Sequence, residues 1–224
     1  GEEATEEHFQ KYLASLYRSR EAYDRTNMAN YINIQNFTET YGLKGEKVSD
    51  QQALGYLEEN GYIYANHILL ATMDLTTGEA LDESAVAEKK ALAESLVQEL
   101  KAIDDHEELV KRFKELKEEY CEDTGKTSFP DGYMFQPGDM VEEFENGALL
   151  LTEYGVSEPV ESPYGYHIIL RLPLDPDAVM AYSNTGEPMT AREYFANYDY
   201  ATKLDEYLAN MQAEYAQGFQ PGVK

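Results

Sequence analysis

Tyr62-Ile63-Tyr64-Ala65-Asn66-His67-Ile68-Leu69-Leu70 is the stretch on which the fold turns. It is dense in aromatic and aliphatic residues, which suit a pleated, buried surface. It therefore predicts a buried strand. One imidazole, His67, sits inside it. A single histidine in such surroundings is usually a core residue with its hydrogen bonds met. A second one, His167, lies in a similar setting, Tyr166-His167-Ile168-Ile169-Leu170-Arg171-Leu172.

Outward from that strand the period changes. A polar loop with Thr76-Thr77-Gly78 follows it. Asp82 can then cap a long helix with Val86, Ala93, Leu96, Val97, Leu100 and Ile103 along one side. Asp104, with Glu107 three residues later, reads as a capping box for the next helix. Its apolar stripe is Leu109, Phe113, Leu116 and Tyr120. Thr124 to Gly138 is rich in glycine and proline and reads as mostly loop. Val141 to Leu151 suits a short helix with Phe144 facing inward. Val156 to Glu161 and Tyr166 to Leu172 read as two strands joined by a turn at Ser162-Pro163-Tyr164-Gly165.

On either side of this zone the pattern is helical. Before it, Phe9, Leu13, Leu16 and Tyr17 recur at helical spacing, and Tyr31, Ile34 and Phe37 suggest a second helix. Gly42 and Gly45 break the pattern. Ser49 or Asp50 can cap a helix carrying Leu54 and Leu57 that stops at Asn60-Gly61. After it, Pro173-Leu174-Asp175-Pro176 opposes both helix and central strand and reads as a linker. A helix from about Thr190 to Tyr215 follows, and the tail from Gly218 to Lys224 is expected to fray. The expected organisation is a helical segment 1–61, a mixed zone 62–172, and a linker and helix 173–224.

Composition excludes several classes. A chain of 224 residues that is 42% hydrophobic can form a real core in one or two domains. No apolar run is long enough to span a bilayer. A formal charge of −25 opposes binding to nucleic acid and to anionic lipid. The single cysteine, Cys121, excludes an intrachain disulfide and a cysteine-based zinc site, and it reads as structural. His8 and His106 lie at helix starts and read as solvated. The chain opens on Gly1 and acidic residues with no visible export signal. That opening suggests that an export or anchor segment has been trimmed away.

Three segments together resemble the parvulin family of peptidyl-prolyl isomerases. Asn66-His67-Ile68-Leu69-Leu70 is similar to its first-strand His-Ile-Leu-Val. Tyr120-Cys121-Glu122-Asp123, followed by Gly138-Asp139-Met140 and Phe144-Glu145, resembles Tyr-Ser-x-Asp and Gly-Gln-Met-x-x-x-Phe-Glu. Gly155-Val156-Ser157-Glu158-Pro159-Val160, then Gly165-Tyr166-His167-Ile168-Ile169, resembles Gly-x-Val-Ser-x-Pro-Val and Gly-Tyr-His-Ile-Ile.

The resemblance implies an α+β fold: a four-stranded antiparallel sheet wrapped by helices. In exported foldases of the PrsA and SurA kind, such a domain is inserted in a helical, chaperone-like one. It implies that His67, Asp123 and His167 are catalytic. It implies that Met140, Phe144, Tyr133, Met134, Leu149, Ser162 and Tyr164 contact substrate. Cys121 falls where the family often has serine. Gly132 aligns with a pocket leucine, which would remove one apolar wall, and Leu149 aligns with a usual phenylalanine.

The implied reaction is cis/trans isomerisation of X-Pro bonds. Rotation about a peptide bond faces a barrier of ~18–20 kcal/mol. Favouring the twisted transition state over both planar states lowers that barrier. The task needs a water-poor grip on the proline ring and a polar floor, but no nucleophile, cofactor or metal. The loop from Ala71 to Ala87 holds acids and no Lys or Arg, so no preference for phospho-Ser/Thr-Pro is expected. The implied clients are unfolded or proline-containing polypeptides. The implied location is extracytoplasmic, anchored at the cell surface through a segment absent from this chain, with a homodimer as one assembly. Two other readings remain open. One is a catalytically silent fold that serves as a holdase. The other is a metal site of His67, His167 and Asp123, against which stands the lack of any short-spaced ligand motif.

Overall fold

The computed structural model describes residues 20–218, together with Lys11, Tyr12 and Ala14. The expected helix through Phe9, Leu13, Leu16 and Tyr17, the histidine His8, and the tail beyond Gly218 lie outside the described residues. The chain forms two compact units: residues 49–195, and residues 1–48 with 196–224.

In the larger unit, four strands form an antiparallel sheet in the order β2-β1-β4-β3. They are β1 (Ile63–Ala71), β2 (Tyr133–Phe135), β3 (Val160–Ser162) and β4 (Gly165–Leu172). Around it lie α2 (Asp50–Glu59), α3 (Glu83–Lys101), α4 (His106–Tyr120) and α5 (Glu142–Leu149). This is the α+β architecture expected.

The helices begin where local chemistry permits. Ser49 forms a full capping box with Gln52 at the start of α2. Asp82 caps α3 by accepting the Ala85 N–H at 2.9 Å. The cap of α4 is Asp105, not Asp104: its carboxylate accepts the Glu108 N–H at 2.9 Å. Of two adjacent aspartates, only the one with extended backbone just before the first turn can reach back.

The pairing of β1 with β4 positions the site. His67 lies opposite Ile169, and Leu69 lies opposite His167. The two histidines are thus diagonal neighbours on one face, because side chains two residues apart on a strand point the same way. The other face carries Tyr64, Ile68 and Leu70 of β1 with Tyr166, Ile168, Leu170 and Leu172 of β4. It packs against Leu57 of α2, Leu96, Val97 and Leu100 of α3, and Leu109, Phe113 and Leu116 of α4. A smaller cluster on the histidine face joins Ile63, Ala65, Phe135, Phe144, Ala148 and Ile169.

Two elements depart from the sequence reading. β2 forms inside the stretch expected to be loop, pairing Ala65 with Tyr133. Past the prolines of the expected linker, β5 (Val179–Tyr182) and β6 (Pro188–Thr190) form a hairpin of their own. β5 packs beside β2. Residues 50–61 and 173–195, assigned above to the flanking segments, therefore fold with the sheet. The reason for α2 is plain, since Leu57 is fully buried in the large cluster.

The second unit joins segments from both ends of the chain. It holds α1 (Arg20–Tyr41) and most of α6 (Ala191–Gly218). Phe37 meets Tyr200 edge-on, with ring centres 5.5 Å apart. The Tyr41 hydroxyl and Lys203 Nζ both donate to Asp199 at 2.7 Å. Among the described residues, no helix is long and apolar enough to cross a membrane.

Candidate active site

His67 lies mid-strand in β1, paired with Ile169 of β4, two residues beyond the last residue paired with β2. Asp123 follows the end of α4 and caps a short 3₁₀ turn, Thr124–Thr127. Its Oδ1 accepts the Gly125 N–H at 2.9 Å. Its Oδ2 lies 3.0 Å from His67 Nε2 and accepts the Tyr133 hydroxyl at 2.5 Å. Across the sheet, His167 Nε2 lies 2.7 Å from Ser162 Oγ. The two imidazole centres are 5.2 Å apart. Phe144 packs edge-on to His67 at 5.1 Å and contacts His167 at 5.6 Å. Among the described residues, each histidine's buried Nδ1 lacks a hydrogen-bond partner.

The charges follow from these contacts. Burial works to raise the Asp123 carboxyl, but hydrogen bonds from His67, Tyr133 and the Gly125 N–H outweigh it. Asp123 is held well below the usual carboxylate range and is ionised. Burial, aided by the neighbouring His67 imidazole, pushes His167 down to about 3, so it is neutral near pH 7. Burial, then the bond to Asp123, pushes the Tyr133 hydroxyl above the usual phenol range.

These groups form the polar side of a pocket of about 370 Å³. Its apolar wall is Met140, Val141 and Phe144, with Leu75 and Tyr164 also contributing. Met140 and Val141 reach the pocket from the extended segment that leads into α5, with Val141 as its N-cap residue, and Phe144 reaches it from the first turn. The volume is in the range of small-molecule sites.

Of the residues expected to contact substrate, Met140, Phe144, Tyr133 and Tyr164 line the pocket. Three do not. Met134 follows Tyr133 on the strand, so its side chain takes the opposite face and enters the large core cluster. Leu149, at the last turn of α5, is 53% exposed. Ser162 is buried and reaches His167 rather than the pocket.

Gly132 also needs correction. A Cβ there would sit 2.7 Å from the Ala65 carbonyl oxygen, and φ is +124°. A side chain at this position would strike the β1 backbone, so Gly132 is not a missing pocket wall. It is the residue that lets the loop close onto β1. Cys121 is buried, and its Sγ accepts the Leu69 N–H at 3.3 Å, which ties the end of α4 to β1. His106, expected in solvent, is exposed but stacks on Tyr154 at 4.0 Å.

Sequence reasoning missed Leu69, Leu75, Thr124 and Val141 as lining residues. Neither Val141, the extended N-cap residue of α5, nor Leu75, in a turn, carries a periodic signal. Among the described residues, no group of three or more His, Cys, Asp or Glu is arranged to hold a metal ion.

Residues 67–172 match the Rotamase family, the PPIC-type PPIase domain. Foldase protein PrsA of Halalkalibacterium halodurans is 34% identical over 137 residues, covering 59% of this chain and 34% of that protein. Chaperone SurA of Nitrosospira multiformis is 33% identical over 106 residues, covering 47% of this chain and 21% of that protein. The matches therefore span about a third or less of these relatives' lengths. The crystal structure of PrsA from Bacillus subtilis covers 99% of this chain and 78% of that one, at 20% identity and a TM-score of 0.40. The histidine pair, its carboxylate and the family match coincide in one segment, residues 67–172, which is similar to the PPIC-type PPIase domain.

Proposed function

We propose that this chain catalyses cis/trans isomerisation of X-Pro bonds in unfolded or exported polypeptides, outside the cytoplasm. The observation that carries the reading is the juxtaposition of two histidines and an ionised aspartate with an apolar pocket. Met140, Val141 and Phe144 would grip the pyrrolidine ring. Gripping the ring while the preceding carbonyl turns favours the twisted state, in which amide resonance is lost.

The histidines shape the floor. An ionised carboxylate can only accept, so the Nε2–H of His67 donates a hydrogen bond to Asp123. His167 is neutral and held by Ser162. The network presents fixed dipoles to the imide without forming a covalent bond, as electrostatic stabilisation requires. Asp123, His67 and His167 are the groups we assign to it.

Two features bear on clients. The loop between β1 and α3 puts Leu75 in the pocket and carries no cation, so a phosphorylated residue before proline finds no partner there. In the helical unit, Met28, Tyr31, Ile32 and Ile34 of α1 are exposed, a surface suited to unfolded chains. That favours a holding role beside catalysis.

The test is cis/trans exchange of an X-Pro peptide measured by NMR. The native chain is expected to accelerate exchange, and His167→Ala to lose at least tenfold in kcat/KM. A native chain that leaves the exchange rate unchanged would sink the catalytic reading and leave only the holding role.

A further inference from the structure

Lys117 is a buried cation for which the reaction just described has no use. It lies in the last turn of α4 and is only 3% exposed. Its Nζ donates to Asn66 Oδ1 at 2.7 Å, to the Phe129 carbonyl at 2.9 Å and to the Pro130 carbonyl at 3.2 Å. An ammonium has three donors, and all three are spent here. Such full satisfaction is what makes a buried charge tolerable.

The loop it pins leads directly into the site. Phe129 and Pro130 precede Gly132, which touches β1, and then Tyr133. Lys117 Nζ lies 6.0 Å from the Tyr133 ring centre, at the outer limit of a cation–π contact. The Tyr133 hydroxyl donates to the same Asp123 oxygen that meets His67. This hydroxyl occupies the space where a Cβ on Gly125 would stand, and the absence of that carbon is what admits it. Asn66, the third acceptor, is the neighbour of His67, and its Oδ1 also accepts the His67 N–H at 2.9 Å.

We propose that Lys117 is a positioning residue for the isomerase site. It touches no substrate. It clamps the segment before Tyr133, so that the Tyr133 hydroxyl holds the Asp123 carboxylate in line with His67. The charged groups around the ammonium are Asp123 and Asp131, with Lys114 as the like charge and Cys121 as a nearby thiol. This assignment rests on the isomerase reading for its activity readout, but not for its structural one.

A double-mutant cycle with two readouts tests it. Lys117→Met and Tyr133→Phe are made singly and together. kcat/KM on an X-Pro peptide and the imidazole ¹⁵N resonances of His67 are recorded, with unfolding measured separately. Each single variant is expected to lower kcat/KM by about ten- to a hundredfold, the worth of one hydrogen bond to a charged group. The double variant is expected to fall no further than either single one, because both act through one contact. Lys117→Met is also expected to shift the His67 Nε2 resonance in the same direction as Tyr133→Phe.

A loss of stability with unchanged kcat/KM and unchanged His67 resonances would overturn the proposal, as would fully multiplicative losses. If Lys117→Met does not fold, Lys117→Gln keeps a donor for the Phe129 carbonyl and carries the comparison. Failure of both to fold would mark Lys117 as a folding residue and overturn the positioning role. If the native chain does not isomerise the peptide, the functional reading falls, and the Lys117 assignment is decided by the His67 resonances alone.

Discussion

The two faces of one pair of strands do different work. On one face, Tyr64, Ile68 and Leu70 of β1 meet Ile168 and Leu170 of β4 under three helices, in a large apolar cluster. On the other, His67 and His167 sit beside a cluster of only a few buried residues that includes Phe135, Phe144 and Ile169. The same backbone serves both, because alternate side chains point to opposite sides. The first face supplies most of the burial and hence most of the stability. The second can therefore hold an open pocket and polar groups that cost stability.

The largest expected effect separates the faces outright. Phe113 and Phe144 are both almost wholly buried, one on each side. Phe113→Ala should cost about 3–5 kcal/mol in unfolding free energy while leaving kcat/KM per folded molecule unchanged. Phe144→Ala should destabilise less, since its neighbours already border a pocket, and should lower kcat/KM at least tenfold. Denaturant titration and peptide exchange on both variants check this. Equal stability losses with equal activity losses would break the division of labour.

Acid should act on the histidine face first. His167 is held at about 3 when folded against an ordinary value of 6.5. Between those values the unfolded chain binds a proton that the folded chain refuses. Its contribution is thus intact above pH 6.5 and lost as pH falls toward 3, at up to ~1.4 kcal/mol per pH unit. Asp123, with its folded value depressed, adds a loss in the same direction once pH drops below its ordinary 3.8. Stability of the native chain and of His167→Gln, measured from pH 7 to pH 4, should show the steeper slope only in the native chain.

The smallest effect sharpens the border of the site. Leu149 is 53% exposed and lines nothing. Leu149→Ala should change stability by less than about 0.5 kcal/mol and leave kcat/KM unaltered. A measurable fall in activity would extend the pocket to the end of α5.

Much of this was legible in the chain. Strand β1, the caps Ser49 and Asp82, and the stripe through Leu109, Phe113 and Leu116 follow from local period and side-chain chemistry. The motif resemblance brought His67, Asp123 and His167 into one site. Other elements left no such trace. Strand β2 has three residues, too few for a period, and it exists because β1 offers an edge. The β5–β6 hairpin follows two prolines that oppose strand locally. Met134 and Tyr133 were indistinguishable in a string of letters, and a one-residue step decides which of them meets the pocket.

What the sequence determined by itself is therefore what depends on near neighbours: where helices start, which stretches bury, and which family pattern the segment carries. What only the tertiary structure decided is which atoms meet across long separations. Lys117 beneath Tyr133, the Tyr133 hydroxyl in the space left by Gly125, and Gly132 against Ala65 are all such meetings. Periodicity is a property of the local backbone, whereas these contacts depend on the register and closure of distant segments, which no window of sequence contains.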